Sequence, residues 1–431
     1  MSINTRPIYD LTMTIAARCA GAASRLWTRN TGSKTARFLR AQRDPIGPAS
    51  RAGAATGGRR RVWIHCASLG EFAIARPIIA SLRKDPTVDV VITFFSPSGY
   101  EVVSRKKDLY PEVYYLPLDS PGNVRKFIDC IRPDAAVFMV SEFWHNYLSE
   151  LKRREIPVFL VSALIRRGSV FFKWYGTDYR ADLRCYRRIF PLDESSRELL
   201  AGLGVMTAEC AGDPLYDNAL AIAAKPYSNP IIEKFRGNSF LLIAGSLNDE
   251  HDLELVAAVA NKHPERKFLI VPHDVGSNHI ERIVRAIKKR TIRYSNCSES
   301  TDFSAIQCLV IDYVGELASI YRYGDCAYIG GGFTPYLHSL VEAAVYGLPV
   351  AFGPRIERKI SPAQLMEAGV GTMVSTPEEL ISWYDSLLAN AELCDSIKEK
   401  ARKFVDRNSG ATEKIANSIL GSLPHNSATK Q

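Results

Sequence analysis

Short unbroken apolar runs recur along this chain, with helix-period stretches between them. In the first half the runs fall at 62–66, 88–95, 113–116, 135–140 and 158–161. After a segment reading ALAIAAKPYSNP at 219–230, the pattern restarts at 240–244, 267–271, 308–311, 326–329 and 349–352. A run without polar alternation predicts a strand covered on both faces, as in parallel sheets flanked by helices. Two such series predict an α/β fold of two doubly wound, Rossmann-like domains facing a central cleft, with a hinge at 219–230. The expected domains are 61–222 and 223–421, after a helical segment at 1–44 and a Gly-, Ala- and Pro-rich linker at 45–60. Helices beyond Thr376 are expected to pack on the second domain, and the last dozen residues to be disordered.

At 431 residues the chain is long enough for two separate cores, and its apolar fraction of 46% is that of an ordinary globular protein. Charge changes the picture at one end only. Residues 1–61 carry twelve basic and two acidic side chains, so the net +9 of the whole chain leaves the remainder close to neutral. Asp10, Arg18 and Arg25 break the best apolar run of that segment, so it predicts no spanning helix, and it has no clean signal-peptide pattern. Ile8, Leu11, Ile15, Ala22, Leu26 and Trp27 roughly share one helical face, with Arg18, Arg25 and Arg29 among the polar positions. A basic amphipathic helix of this kind suits an anionic membrane surface; a nucleic-acid arm, a transit peptide and a disordered tail are the alternatives. The nine cysteines are scattered, without C-x-x-C spacing or a Cys/His metal pattern. They read as free thiols of a reducing compartment, and no cofactor or metal site is expected.

Candidate chemistry lies where strands end. Trp63-Ile-His-Cys-Ala-Ser-Leu-Gly-Glu71 runs from a strand through a small-residue turn to a carboxylate at a helix start. Open α/β sheets bind ligands at such strand ends, and a carboxylate there can act as a general base. An acidic residue that merely complements the helix dipole is the bland alternative. Glu142, in Phe138-Met-Val-Ser-Glu-Phe-Trp-His-Asn146, puts a second carboxylate at a strand end. In the second half, Gly245-Ser246 precedes a helix start and offers a phosphate seat, and Pro272-His273 closes the next strand. Val314-Gly315-Glu316-Leu317 joins a strand to a helix. Tyr328-Ile-Gly-Gly-Gly-Phe lets a ligand approach the backbone, and His338-Ser339 with Glu342 reads either as a nucleotide pocket or as a capping box.

Taken in order, these pieces resemble the 3-deoxy-D-manno-octulosonic acid (Kdo) transferases, lipid A-specific glycosyltransferases of GT-B fold. The matching segments are WIHCASLGEF, SEFWHN, GDPLYD (212–217), AGS, VPH, VGEL, and AYIGGGF followed by HSLVEAAVYGLPVAFGP, over roughly 60–370. The resemblance implies an inverting transfer of Kdo from CMP-Kdo to a lipid A precursor in lipopolysaccharide core synthesis. Glu71 would be the general base and Glu142 the transition-state stabiliser. Gly245, Ser246, Pro272, His273, Val314, Gly315, Glu316, Leu317, His338, Ser339 and Glu342 would hold the donor. A monophosphate leaving group fits helix N-termini and a few donors without a divalent metal. The family's monotopic placement implies residues 1–44 on the cytoplasmic face of the inner membrane and no nucleic-acid partner. His273 stands where many relatives have Arg, Ser339 where Asn is usual, and Tyr336 and Leu337 replace small residues. Another GT-B enzyme using a nucleotide diphosphate sugar, and a catalytically silent membrane-surface relative, are the alternatives.

Overall fold

The structure, a computed structural model, describes residues 6–26, 33–52, 58–357 and 359–424. Trp27 and Arg29 of the expected amphipathic face, linker residues 53–57 and the final residues 425–431 lie outside the described residues, as do the side chains of Arg25 and Leu26. The chain divides into two compact units, one of residues 1–218 with 409–431 and one of residues 219–408.

The first unit is built on a six-stranded, all-parallel sheet in the order β3-β2-β1-β4-β5-β6. Its strands are β1 (Arg60–Cys66), β2 (Val88–Phe94), β3 (Val113–Tyr115), β4 (Ala135–Met139), β5 (Val158–Ala163) and β6 (Arg188–Pro191). Successive side chains of a strand point to opposite faces, so each apolar run feeds two cores. Val62, Ile64 and Cys66 join Val90, Ile92, Val137 and Val161 on one face. Trp63 joins Val91, Phe138 and Leu160 on the other. The sixth strand was not foreseen: its Arg188-Ile-Phe-Pro191 is short and charged at its start, as suits an edge.

The expected packing of the last helix is corrected. Ala411–Leu420 belongs to the first unit, where Ile415, Ala416 and Ile419 share a core with Ala75, Ile78, Ile79 and Leu82 of the Leu69–Leu82 helix. Asp217 fastens its start, accepting the backbone N–H groups of Gly410 at 2.6 Å and Thr412 at 2.7 Å. The expected second domain thus ends too late at 421. The hinge is also displaced, since the boundary at Asn218 falls inside the Pro214–Ala223 helix and the second lies at 408–409.

The second unit holds a seven-stranded parallel sheet in the order β13-β12-β11-β7-β8-β10-β9. Its strands are β7 (Leu241–Leu247), β8 (Lys267–Pro272), β9 (Thr291–Arg293), β10 (Cys308–Val310), β11 (Cys326–Ile329), β12 (Val350–Phe352) and β13 (Gly371–Met373). In each sheet the order reverses at its first strand, between β1 and β4 and between β7 and β11. Ligands of open α/β sheets bind beyond the strand ends at such reversals. Among the described residues no helix is long and apolar enough to cross a membrane.

Candidate active site

Glu71 and Glu142 follow β1 and β4, the two strands that flank the reversal in the first sheet. Ser68 caps the Leu69–Leu82 helix, and Glu71, in its first turn, reaches back to accept the Ala67 N–H at 2.5 Å. The helix-start reading of Glu71 is therefore realised, and it also fixes the carboxylate at the strand end. Burial, and next the charge of Glu142, push the Glu71 carboxyl up to about 8, against the pull of the Ala67 N–H. A carboxyl with that proton affinity is poised for base work near neutral pH.

Glu142 is approached by two ring nitrogens. The Trp144 indole N–H donates to its Oε2, and His65 Nε2 lies 3.4 Å from the same oxygen. Tyr186 donates its hydroxyl to the Glu142 carbonyl at 2.6 Å. Just before it, Val140 holds a left-handed backbone at φ 62°. A β-branched residue pays for that conformation, and such strain collects where a strand exit is aimed at a site.

Sequence reasoning missed the supports behind this loop. His145 bonds Asp182 through Nδ1 and receives Arg6 of the N-terminal helix at Nε2. Arg6 also reaches Ser149 at 2.6 Å, and Tyr9 donates to Asp119 at 2.7 Å. Asp119 accepts the N–H groups of Asn146 and Tyr147 at 3.0 Å each, so one buried carboxylate joins the N-terminal helix to the start of the His145–Arg153 helix. Burial pushes that carboxyl up to about 7 despite its donors. The available signal was a polar trio, Arg6, Tyr9 and Asp10, at the start of an amphipathic helix; its partners were not readable.

In the second unit the strand exits gather several of the expected donor residues. Gly245 and Ser246 lie within β7, and Ser246 takes φ 57° at a shift in the β7–β8 register. A Cβ on Gly245 would stand 2.0 Å from the Tyr321 hydroxyl and 3.3 Å from Leu317, so packing requires glycine there. His273 and His338 bring their rings within 4.7 Å. Burial, then His273 and Lys359, lowers His338 to about 4. Glu316 is engaged elsewhere, accepting the hydroxyls of Tyr227 and Tyr313 at 2.7 Å each, while Val314 beside it is exposed.

One local expectation fails here. Ser339 and Glu342 form no capping box: the helix starts only at Val341, spans four residues and has no side-chain cap, and Ser339 Oγ is buried without a hydrogen-bond partner. Leu340, not Ser339, holds the N-cap position, so the helix starts one residue too late for the box. After Gly245-Ser246 the alternative reading, an N-capped helix start, is seen: Asp249 accepts the His251 and Asp252 N–H groups at 3.0 Å each. The glycine loop owes its shape to Asp252, unforeseen and fully buried. It accepts Tyr328 OH at 2.8 Å, Gly331 N–H at 2.7 Å and Asn248 N–H at 3.2 Å, tying the exit of β11 to that of β7.

Two parallel-sheet units, each with candidate chemistry at its strand reversal, have the GT-B fold. Solved structures of that shape include a UDP-N-acetylglucosamine 2-epimerase from Listeria monocytogenes (TM-score 0.61, 16% identity, 84% of this chain and 96% of that one). MurG from Acinetobacter baumannii is another (TM-score 0.53, 13% identity, 84% and 99%). At these identities they speak for the fold alone. Residues 35–218 match the family described as 3-deoxy-D-manno-octulosonic-acid transferase (kdotransferase). The transferase of that name from Aquifex aeolicus is 26% identical over 80% of this chain and 90% of its own length, and that from Haemophilus influenzae 26% over 85% and 88%. These matches make the chain a glycosyltransferase, similar over most of its length to the Kdo transferases.

Proposed function

We propose that this protein moves Kdo from CMP-Kdo to a lipid A precursor, inverting the anomeric centre, in lipopolysaccharide core synthesis. The observation that carries the reading is Glu71, held at the β1 exit with its carboxyl pushed up to about 8 by burial and by Glu142. Glu71 takes the proton of the acceptor hydroxyl, the oxygen attacks the anomeric carbon, and the bond to the phosphate breaks to release CMP. Glu142 lies beside the developing positive charge at that carbon and stabilises it. On the donor side, the glycine exit of β11, His338 and His273 supply a close backbone approach and ring donors for one phosphate. Gly245 and Leu317 share Tyr321 as a neighbour, and the charge of Glu342 also bears on Tyr321.

The test is transfer itself. Purified protein in detergent receives CMP-Kdo and a tetra-acylated lipid A precursor, with and without chelator, and the lipid is weighed by mass spectrometry. A gain of one or more Kdo units is expected. Folded protein that yields none, with both substrates verified, overturns the reading. The rate has an expected pH dependence. A base must be ionised to act, so kcat/KM rises about tenfold per pH unit below a midpoint near 8 and then levels. A flat profile from pH 6 to 9 removes Glu71 from the role.

The same reading places the protein on the cytoplasmic face of the inner membrane. In its support, Ile8, Leu11 and Ile15 are 68%, 62% and 51% exposed along one side of the Arg6–Leu26 helix. Apolar side chains spaced so, on a basic segment, suit the interface of an anionic bilayer. Ile8→Ser with Leu11→Ser is expected to reduce flotation with phosphatidylglycerol vesicles several-fold. Unchanged flotation assigns the contact to another surface.

A further inference from the structure

His65 is fully buried on β1. It is register partner to Thr93 of β2, so the two side chains meet on the face that also carries Trp63. Trp63 Nε1 and His65 Nδ1 both lie 2.8 Å from Thr93 Oγ1. An indole N–H can only donate, so Thr93 accepts from Trp63 and has one hydroxyl proton left to give. Given to His65 Nδ1, that proton makes Nδ1 the acceptor. A neutral imidazole then carries its own hydrogen on Nε2. Nε2 is buried, makes no aligned hydrogen bond, and stands 3.4 Å from Glu142 Oε2. Trp144 donates to that same oxygen.

We propose that His65 is a positioning residue for Glu142: Trp63 and Thr93 lock its proton on Nε2, and that N–H steadies the carboxylate in the acceptor site. This rests on the roles given above to Glu71 and Glu142. The long Nε2–Oε2 contact is the form expected without substrate, since such bonds tighten in the reacting complex. The groups facing Glu142 are His65 and Cys66 of β1, Glu71 of the next helix, and Tyr186, whose hydroxyl holds its carbonyl. Of these groups His65 faces the carboxylate with a ring nitrogen, as Trp144 of the same loop does with its indole N–H. The charge of Glu142 raises the proton affinity of Glu71, so a group that fixes that charge also helps set where the base titrates.

The lock is read directly by nitrogen NMR of protein labelled with 15N-histidine. The expected His65 signature is a pyrrole-type Nε2 with a hydrogen-bonded, pyridine-type Nδ1. It is kept in Thr93→Ser and lost to a mixture of tautomers in Thr93→Val. A protonated Nδ1 in the unaltered protein overturns the proposal. The kinetic arm compares His65→Gln, which keeps an N–H donor, with His65→Phe, which has none. Loss of the donor leaves the Glu142 carboxylate unsteadied, so kcat falls ~10-fold in His65→Phe with KM for CMP-Kdo unchanged. His65→Gln restores the N–H and recovers most of that loss. An equal fall in both variants means packing alone and overturns the proposal. If His65→Phe does not fold, the two Thr93 variants carry the same comparison. Because the NMR result is independent of turnover, it stands or falls apart from the transferase reading.

Discussion

Glu71→Gln lowers turnover by ~10²–10⁴-fold, the usual contribution of a positioned general base. The substitution is mild in every other respect. The Gln amide oxygen still accepts the Ala67 N–H, and Ser68 still caps the helix, so the turn after β1 keeps its supports. Removing a charge also relieves the repulsion from Glu142, so the fold loses nothing electrostatically. The proposed donor residues are all in the second unit, which leaves CMP binding as an internal control. The expected pair of results is therefore lost transfer with unchanged CMP affinity by calorimetry. Turnover equal to that of the unaltered protein would remove the base assignment. Loss of both turnover and CMP binding would point to a damaged fold.

Ile415→Ala with Ile419→Ala destabilises the first unit severely. Both side chains are fully buried against the Leu69–Leu82 helix. Each truncation of this kind costs about 2–5 kcal/mol in a close-packed core. The two sites are one helical turn apart and their effects are coupled, but even a partial sum approaches the 5–15 kcal/mol typical of a whole domain. Hydrogen exchange followed by mass spectrometry localises the effect. Faster exchange is expected in β1, β2 and the Leu69–Leu82 helix, with β7 and β11 unchanged. The reverse pattern would return the last helix to the second unit.

The contrast between these two predictions tracks what the chain discloses before it folds. Parallel strands buried on both faces must be apolar throughout, so β1, β2, β4, β5, β7, β8 and β11 were legible as runs. The position of Glu71 was legible because Ser68 reads as a helix cap directly after the strand. The strand β6 was not, because an edge strand that starts with Arg188 lacks the continuous apolar signature. The destination of Ala411–Leu420 was not either. An apolar stripe states that a helix packs, not on which surface, and the tie to Asp217 spans almost two hundred positions. Ser339 and Glu342 have capping-box spacing, but spacing cannot report that the helix starts one residue later, after Leu340. The His65–Thr93 contact depends on strand register, which emerges only when β1 and β2 are paired.

The return of the C-terminal helix to the first unit also sets an order of events during synthesis. Residues 219–408 form a contiguous unit that can close as soon as they leave the ribosome. The first unit emerges earlier yet remains incomplete, with Ile78, Ile79 and Leu82 lacking their last partners until residues 409–424 arrive. At ~5–20 residues per second that interval is on the order of ten to forty seconds. Through it, the nascent chain displays an apolar strip on the very helix that carries Glu71. The last helix acts as a closing stitch, and a ribosome that stalls before it leaves a half-finished surface open to chaperones.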